Sequence, residues 1–259
     1  MRIAMGIEYD GSLFSGWQRQ AHATGIQEVL ERALSKVADH PVAVVCAGRT
    51  DAGVHASAQV VHFDSAAPRA MRAWMLGVTC NLPPEVCVTW AQPVAEDFHA
   101  RFSAVGRQYR YIILNRTVRP SLLRQRVCWE HAPLDVARMA EASHCLIGVH
   151  DFSSFRAQAC QAKHPQREVY SLDIRRHGEF IYLDIAANAF LHHMVRNIAG
   201  TLMAAGRGDQ PVEWVQSVLE ARDRTVGGIT ASAAGLYLVQ VRYPERFGVP
   251  QIAQLPCLG

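Results

Sequence analysis

The segment VAVVCAGRTDAGVHASAQVVHF, residues 42–63, guides the interpretation of the whole chain. Apolar runs at its two ends, 42–46 and 59–63, predict two strands. Between them lies the turn Gly48-Arg49-Thr50-Asp51-Ala52-Gly53, whose glycines allow a tight backbone path close to a ligand. A plain β-turn has no need of the arginine, the threonine or the nearby His55. The turn is therefore a candidate site, and a purely structural loop is the alternative.

Strands and helices follow one another irregularly on both sides of this segment. A capping box formed by Thr24 and Gln27 predicts the start of a helix that continues to about Val37. Hydrophobic periodicity predicts further helices over 69–78, 134–146, 190–205 and 212–221. Strands are predicted over 2–9, 86–90, 108–114, 169–175, 180–185 and 236–241. Hairpins rather than regular strand–helix–strand units favour the α+β class, with mainly antiparallel sheets flanked by helices.

Composition limits the classes of protein that the chain can represent. With 259 residues, of which 49% are hydrophobic, the chain can bury a sizeable core. No apolar run reaches the roughly 18 residues of a membrane span, and the first apolar stretch is interrupted by Gly6 and Glu8. The 7 cysteines are odd in number and form no C-x-x-C pair, which argues against a disulfide framework and a zinc site. We expect a cytoplasmic protein without a metal.

Positive charge is unevenly distributed, although the net charge is only +3. Acidic residues are absent between Asp97 and Glu130. That window contains the arginines Arg101, Arg107, Arg110, Arg116, Arg119, Arg124 and Arg126, interleaved with Phe102, Tyr109 and Tyr111. Guanidinium groups bind phosphates and stack on bases, so the window is a candidate RNA-binding surface. The alternative is a strand whose solvent face happens to be basic.

The turn around Asp51, followed by Gln59-Val60 and Phe63, resembles the signature of the tRNA pseudouridine synthase A family. Other motifs follow in the order of that family: Tyr9-Asp10-Gly11, Phe14, Gly16-Trp17-Gln18-Arg19-Gln20, Asn81-Leu82-Pro83, Phe98-His99-Ala100-Arg101-Phe102-Ser103-Ala104, Arg107-Gln108-Tyr109-Arg110-Tyr111, Asp151-Phe152-Ser153-Ser154-Phe155, Phe190-Leu191-His192-His193-Met194-Val195-Arg196-Asn197 and Gly235-Leu236-Tyr237-Leu238. The resemblance extends to about Pro244, and the tail beyond has no recognisable motif. Ser232 lies near a position where this family often has a proline.

The resemblance implies an isomerase that converts uridines 38, 39 and 40 in the anticodon stem-loop of tRNA to pseudouridine, without a cofactor. It implies that Asp51 is the catalytic carboxylate and that Tyr109 packs on the target base. Arg49 would stand beside the aspartate, and Arg196 would close on the active site. The implied fold has two related α+β halves, here 1–104 with the aspartate loop and 105–259, with a cleft between them. The implied assembly is a homodimer that holds tRNA.

Physical chemistry adds roles for further residues. The target base must be flipped out of its stack, and Leu236 is a second candidate packing partner beside Tyr109. Arg101, Arg107 and Arg110 are candidates for contacts with the RNA backbone. Asp51 could attack the base, attack the ribose or abstract a sugar proton, and the sequence leaves these three open. No redox step or hydrolytic water is needed, which is consistent with the absence of a cofactor.

Three competing interpretations remain. Adjacent His192 and His193 suggest a metal site, but neighbouring residues on a helix point in different directions. A non-catalytic RNA-binding module would use the same basic surface, yet it would gain nothing from an acidic side chain near phosphates. A related synthase could act on other RNAs. The presence of Asp51 favours an enzyme over the binding module.

Overall fold

The chain forms two compact units in the computed structural model, which describes residues 1–158, 160, 162–251 and 253–258. Unit 1 contains Met1–Val105 and Tyr237–Pro256. Unit 2 contains Gly106–Leu236 together with residues 257 and 258. The tail that lacked a motif in the sequence is therefore mostly part of unit 1. As a division of function, the halves 1–104 and 105–259 stay a prediction.

The strands are β1 (Arg2–Tyr9), β2 (Val45–Cys46), β3 (His55–Asp64), β4 (Val86–Pro93), β5 (Gly106–Asn115), β6 (Cys128–Glu130), β7 (Gly148–Asp151), β8 (Gln166–His177), β9 (Phe180–Ala187) and β10 (Leu236–Arg242). The α-helices are α1 (Ile26–Ala38), α2 (Val78–Cys80), α3 (Val136–Ser143), α4 (Met194–Arg207) and α5 (Trp214–Ala221). A π-helical turn, Ala73–Gly77, precedes α2. Because most strand pairs are antiparallel, the predicted α+β class with mainly antiparallel sheets is confirmed. No helix within the described residues is long and apolar enough to cross a bilayer.

The sheet of unit 1 has the strand order β4-β1-β3-β10, and β2 pairs with β3. All of these pairs are antiparallel except β10 with β3, which are parallel, with Tyr237 opposite His55. The middle strand β1 is buried along most of its length, including Ile3 and Met5 at 0% exposure. Helix α1 packs against the π-helical turn and α2, which contact β4. This layer of helices encloses the core of unit 1.

The start of α1 corrects the predicted capping box. The N-cap is Gly25 rather than Thr24, and no side chain caps the helix. Instead, backbone carbonyls of the preceding loop accept from the first amides: Gly16 from Ile26 at 3.1 Å and Trp17 from Gln27 at 2.8 Å. These carbonyls satisfy helix N–H groups that a capping side chain would otherwise bind.

The sheet of unit 2 has the strand order β5-β9-β8-β7, and β6 lies parallel to β5. The predicted hairpin is confirmed as β8 and β9, with His177 opposite Phe180 across the turn. Helix α4 packs against α3, α5 and β5, and nearly all of its residues are buried.

Several helix ends in unit 2 differ from the predicted ones, and three of them have a clear cause. Helix α3 begins at Val136, because the carboxylate of Asp135 accepts from the amides of residues 137 and 138. Helix α4 begins at Met194, because His193 has a φ of 63°. It ends after Arg207, where Gly208 adopts a left-handed conformation. Each end is fixed by a residue next to the hydrophobic run rather than by the run itself.

Candidate active site

The turn that contains Asp51 lies between β2 and β3, at the point where β1 ends. The backbone N–H of Trp17 donates to the carbonyl of Thr50 at 2.9 Å. Within the turn, the N–H of Val54 donates to the carbonyl of Asp51 at 3.2 Å. Bonds on both sides of the aspartate therefore fix the course of its backbone.

Buried polar side chains of neighbouring strands hydrogen-bond to the turn. Nε2 of Gln59, a residue with 0% exposure, donates to the carbonyl of Gly48 at 2.6 Å. The hydroxyl of Tyr9 and Oγ1 of Thr50 are 2.8 Å apart, and both of these side chains are buried. Buried hydrogen bonds of this kind fix one arrangement, since losing a partner leaves a desolvated polar group. The backbone under Asp51 is therefore held rigidly.

The motif that contains Gly11 and Gly16 packs directly on the turn. Gly16 has a φ of +94°, and a Cβ at this position would lie 2.9 Å from the carbonyl oxygen of Thr50. A Cβ on Gly11 would lie 2.0 Å from the carbonyl oxygen of Val54. Both approaches require glycine. Two motifs that are distant in sequence thus form one layer around Asp51.

His55 connects the turn to the same motif. Its Nδ1 accepts from the N–H of Gly11 at 3.1 Å and lies 3.2 Å from Oδ1 of Asp10. The buried ring stacks on Tyr237, with centroids 4.6 Å apart. His55 is therefore a structural link between the turn, Asp10 and β10.

The side chains of the turn differ in their exposure. Thr50 is buried, Asp51 is half-buried and Arg49 is exposed. Asp51 is the only acidic residue of the turn. Cys46, at the end of β2, is not a competing nucleophile: burial raises the pKa of its thiol to about 12, although Arg49 and Arg101 oppose this. Asp51 is the one carboxylate of this turn, and its side chain is partly accessible.

The other predicted site residues, Tyr109, Arg196 and Leu236, belong to unit 2. Tyr109 lies on β5, is 8% exposed and meets the edge of Phe190, with centroids 5.0 Å apart. Leu236 begins β10 and is 6% exposed. Phe190 therefore holds the ring of Tyr109 in place on β5.

Arg196 lies in the first turn of α4 and is half-buried. Its Nε donates to the carbonyl of Ala231 at 2.9 Å, and its own carbonyl accepts from the N–H of Ala231 at 3.1 Å. These two bonds fasten the loop before β10 to α4.

Arg110 corrects the predicted set of RNA-binding arginines. It is 4% exposed, and its guanidinium binds both carboxylate oxygens of Asp184, at 2.7 and 2.8 Å. The guanidinium also lies over the ring of Tyr182 at 4.9 Å. Hydrogen bonding to Asp184 raises the pKa of Arg110. This arginine stabilises the β5–β9 pair and is too buried to contact a phosphate.

Arg101 and Arg107 have different surroundings. Arg101 is exposed, on the turn after Phe98. Arg107 is half-buried on β5, and its guanidinium donates to the carbonyl of Asn188 at 3.0 Å. Both side chains reach the protein surface, unlike Arg110.

The prediction that the side chains of His192 and His193 point in different directions on a helix is wrong. Both residues precede α4 instead of lying within it, and their ring centroids are 4.1 Å apart. The helical argument against a shared metal ion therefore fails. Two imidazoles supply half of the four ligands of a structural zinc site.

Sequence reasoning missed the supporting residues. Gln59 and Tyr9 lie in the quoted motifs, but the motifs alone do not indicate their roles. The signal was available for Gln59, a glutamine among apolar residues of a strand, since a buried amide needs hydrogen-bond partners. Arg110 gave no such signal, because its partner Asp184 lies on another strand.

Comparison of the sequence with known proteins identifies its family. Residues 5–103 and 142–244 match the family model described as tRNA pseudouridine synthase. The chain is 60% identical over 254 residues to tRNA pseudouridine synthase A of Nitrosococcus oceani, covering 98% of each chain. It is 58% identical over 251 residues to tRNA pseudouridine synthase A of Pseudomonas aeruginosa, covering 96% of this chain and 88% of that one. Among solved structures, a Cbf5-Nop10-Gar1 complex has a TM-score of 0.40 at 13% identity, covering 91% of this chain and 48% of that one.

The sequence matches extend over both units, and they include the turn around Asp51. They rule out the alternative of a non-catalytic RNA-binding module. The chain belongs to the tRNA pseudouridine synthase family, isomerases that act on tRNA.

Proposed function

We propose that this protein converts uridines 38, 39 and 40 of the tRNA anticodon stem-loop to pseudouridine, with the Asp51 carboxylate and without a cofactor. The observation that carries this proposal is the turn of residues 48–56. Gln59 binds a backbone carbonyl of the turn and Tyr9 binds the Thr50 side chain, while the single carboxylate of the turn stays half-buried. A rigid loop that presents one reactive side chain is suited to catalysis, since positioning supplies much of the rate enhancement.

The reaction needs only an exchange of bonds within the substrate. The bond between the ribose and a ring nitrogen breaks, the base rotates, and a ring carbon bonds to the ribose. That carbon loses a proton and the freed nitrogen gains one, so electrons and atoms balance without an oxidant or water. Asp51 can take part by attacking the base, by attacking the ribose or by abstracting a sugar proton. In each case the carboxylate must be ionised.

The target base is flipped out of the stem-loop before the reaction, because the reacting atoms are shielded in a stacked strand. Tyr109 and Leu236 replace the lost stacking in this proposal, and Arg196 and Arg49 interact with the bound nucleotide. Tyr109 is suited to the role because Phe190 fixes its ring. The protein acts in the cytoplasm as a homodimer, in which a tRNA contacts both subunits.

The RNA backbone is bound by Arg101 and Arg107, whose side chains reach the surface. Arginine forms bidentate hydrogen bonds with phosphate, and the binding releases counterions. Arg110 is excluded from this set by its buried pair with Asp184.

The direct test is to incubate the protein with unmodified tRNA transcripts and to map pseudouridine by chemical probing. We expect modification at positions 38, 39 and 40, and none in matched transcripts that carry cytidine there. Modification at other positions would contradict the proposed specificity. The same assay in EDTA, with the tRNA folded beforehand, should give an unchanged yield. A loss that only zinc reverses would contradict cofactor-free catalysis and direct attention to His192 and His193.

A further inference from the structure

Phe102 has an aromatic ring that is 76% exposed. An apolar ring of this size in water forgoes the free energy that burial would provide. Phe98, four residues earlier, is 0% exposed. The ring of Phe102 therefore faces solvent, whereas the ring of Phe98 is completely buried.

The ring is mounted on a closed turn. Nδ1 of His99 accepts from the backbone N–H groups of Arg101 at 3.2 Å and Phe102 at 3.1 Å. The N–H of Ser103 donates to the carbonyl of His99 at 2.9 Å, and Oγ of Ser103 accepts from the N–H of His99 at 3.0 Å. Four hydrogen bonds within five residues hold this turn. An exposed ring on such a turn loses little freedom when a ligand binds.

A row of rings supports Phe102 from the core outward. The rings of Phe102 and His99 are stacked, with centroids 4.3 Å apart and an interplanar angle of 26°. His99 in turn lies 4.9 Å from the ring of His62, which is 5% exposed. One face of Phe102 is therefore covered by His99, and the exposure of the side chain belongs to the rest of the ring.

The surroundings of the ring are positively charged. The guanidinium of Arg101 lies over the ring of Phe102, 5.6 Å from its centroid. The turn also opens the window from residue 98 to residue 129, which contains no acidic residue. The side chain of Arg101 is exposed, so its guanidinium can move from the ring to a phosphate and leave that face of Phe102 to a base. An arginine paired with an exposed aromatic ring is a combination that binds single-stranded nucleic acid.

We propose that Phe102 is a stacking platform for an unpaired base of the tRNA substrate, with Arg101 on an adjacent phosphate. The inference rests on tRNA as the substrate, and it does not depend on the catalytic role of Asp51. The base on Phe102 is held on an exposed turn, so this is a binding contact and Phe102 takes no part in bond exchange.

The test compares the full-length protein with Phe102→Leu and Phe102→Trp, using fluorescence anisotropy with an unmodified tRNA transcript. Leucine keeps an apolar side chain but lacks a π-face, so we expect affinity to fall about 5- to 150-fold, the range for one stacked base. Tryptophan should keep the affinity of the native protein. The control is Leu76→Ala, which removes another exposed apolar side chain of unit 1 and should leave affinity unchanged. Equal melting temperatures verify that the variants are folded.

A second measurement identifies the contact directly. Ultraviolet crosslinking to the same transcript, followed by mass spectrometry, should attach a nucleotide to Phe102. Native affinity in Phe102→Leu, or a crosslink pattern without Phe102, would overturn the proposal. A fall in the molar mass of the particle in Phe102→Leu would also overturn it, because it would assign the ring to a contact between copies. Asp51→Asn protein should show the same crosslink, which separates this inference from the proposed mechanism.

Discussion

Asp51 differs from its neighbours at the scale of single residues, because the turn holds its backbone while its side chain stays half-buried. We expect Asp51→Asn to bind tRNA and to melt like the native protein. The amide is nearly isosteric, and the loss of a negative charge near phosphate removes a repulsion. Pseudouridine yield should fall to background, because no second carboxylate lies in the turn. Affinity, melting temperature and yield are measured on one preparation.

A matched variant shows what a structural defect in the same turn looks like. Tyr9→Phe removes the hydroxyl that bonds to Thr50 and keeps the ring. We expect it to lower the melting temperature, since Thr50 loses a buried partner at a cost of about 1–3 kcal/mol. If Asp51→Asn instead shows this lowered melting temperature, its lost yield is a folding effect. Substantial yield from Asp51→Asn would reject the catalytic assignment outright.

Tyr109 allows a test of base packing. Tyr109→Phe keeps the ring that meets Phe190, whereas Tyr109→Leu removes the aromatic face. Because base–aromatic stacking is worth about 1–3 kcal/mol, the leucine variant should lose at least about 5-fold more kcat/KM than the phenylalanine variant. Single-turnover assays on one transcript provide the comparison. Equal activity in the two variants would argue against stacking.

His62 gives a prediction about pH. Its Nδ1 accepts from the N–H of Ala100 at 3.1 Å, and burial, with a contribution from Arg2, lowers its pKa to about 4. Between that value and the unfolded value of 6.5, the unfolded chain binds more protons. The stabilising contribution of neutral His62 is therefore fully present above pH 6.5. It is lost as the pH decreases toward about 4, and the free energy of unfolding falls by at most about 1.4 kcal/mol per pH unit. Denaturant titrations at several pH values measure this slope. His62→Gln, which can still accept but does not titrate, should show a smaller slope.

The residues also show what a sequence can and cannot reveal. The turn around Asp51 was predictable because its residues are adjacent in the chain. Arg110 was assigned to RNA for its residue type, whereas its buried pair with Asp184 depends on the register between β5 and β9. A residue's neighbours along the chain are visible in a sequence, but its partners across a sheet are not.

At the scale of elements, α4 shows how a helix and a loop constrain each other. Gly200 lies in its middle, and a Cβ there would be 1.8 Å from the carbonyl oxygen of Ile229. The close contact between Gly200 and Ile229 positions the same loop that Arg196 binds through the carbonyl of Ala231. Gly200→Ala improves helix propensity by about 1 kcal/mol, yet the backbone contact cannot yield without moving the loop. We therefore expect a lower melting temperature and a reduced pseudouridine yield.

Gly208, at the end of the same helix, is the control for Gly200. A Cβ at Gly208 would meet nothing within 4 Å, although its φ of +80° disfavours other residues. Gly208→Ala should destabilise the protein by about 1 kcal/mol through backbone strain alone and leave the yield unchanged. If Gly200→Ala melts at the native temperature, the close approach to the loop carries no cost, and the prediction is wrong.

The elements themselves were predicted better than their ends. Hydrophobic periodicity predicted α1, α4 and the β8–β9 hairpin, because the spacing of apolar residues within each segment indicates its buried face. The cap of α1 was missed because loop carbonyls, rather than Thr24, satisfy the first amides. The π-helical turn before α2 was predicted as ordinary helix, since nothing in its composition distinguishes the two.

At the scale of the whole molecule, the arginines divide into structural and surface groups. Arg101→Gln should lower the slope of log affinity against log salt by about one unit, because one phosphate contact no longer releases its counterion. Arg110→Gln should leave that slope unchanged and lower stability, but by less than the about 3–5 kcal/mol of an unpaired buried charge, because Arg175 still binds Asp184 at 2.6 Å. Anisotropy titrations at several salt concentrations and thermal melts provide both values. An unchanged slope for Arg101→Gln would mean that Arg101 does not contact RNA and that its segment is only a basic, solvent-exposed face.

The parallel pair of β10 with β3 has a consequence for how the protein is made. Its residues Tyr237 and Leu238 lie opposite His55 and Ala56. During synthesis, the side of β3 that pairs with β10 stays open until the chain has been made through β10, about 180 residues after β3. An unpaired strand edge is a template for aggregation, and a closing segment so distant in sequence makes the final step slow. Premature termination before β10 would therefore leave a nascent fragment that depends on chaperones.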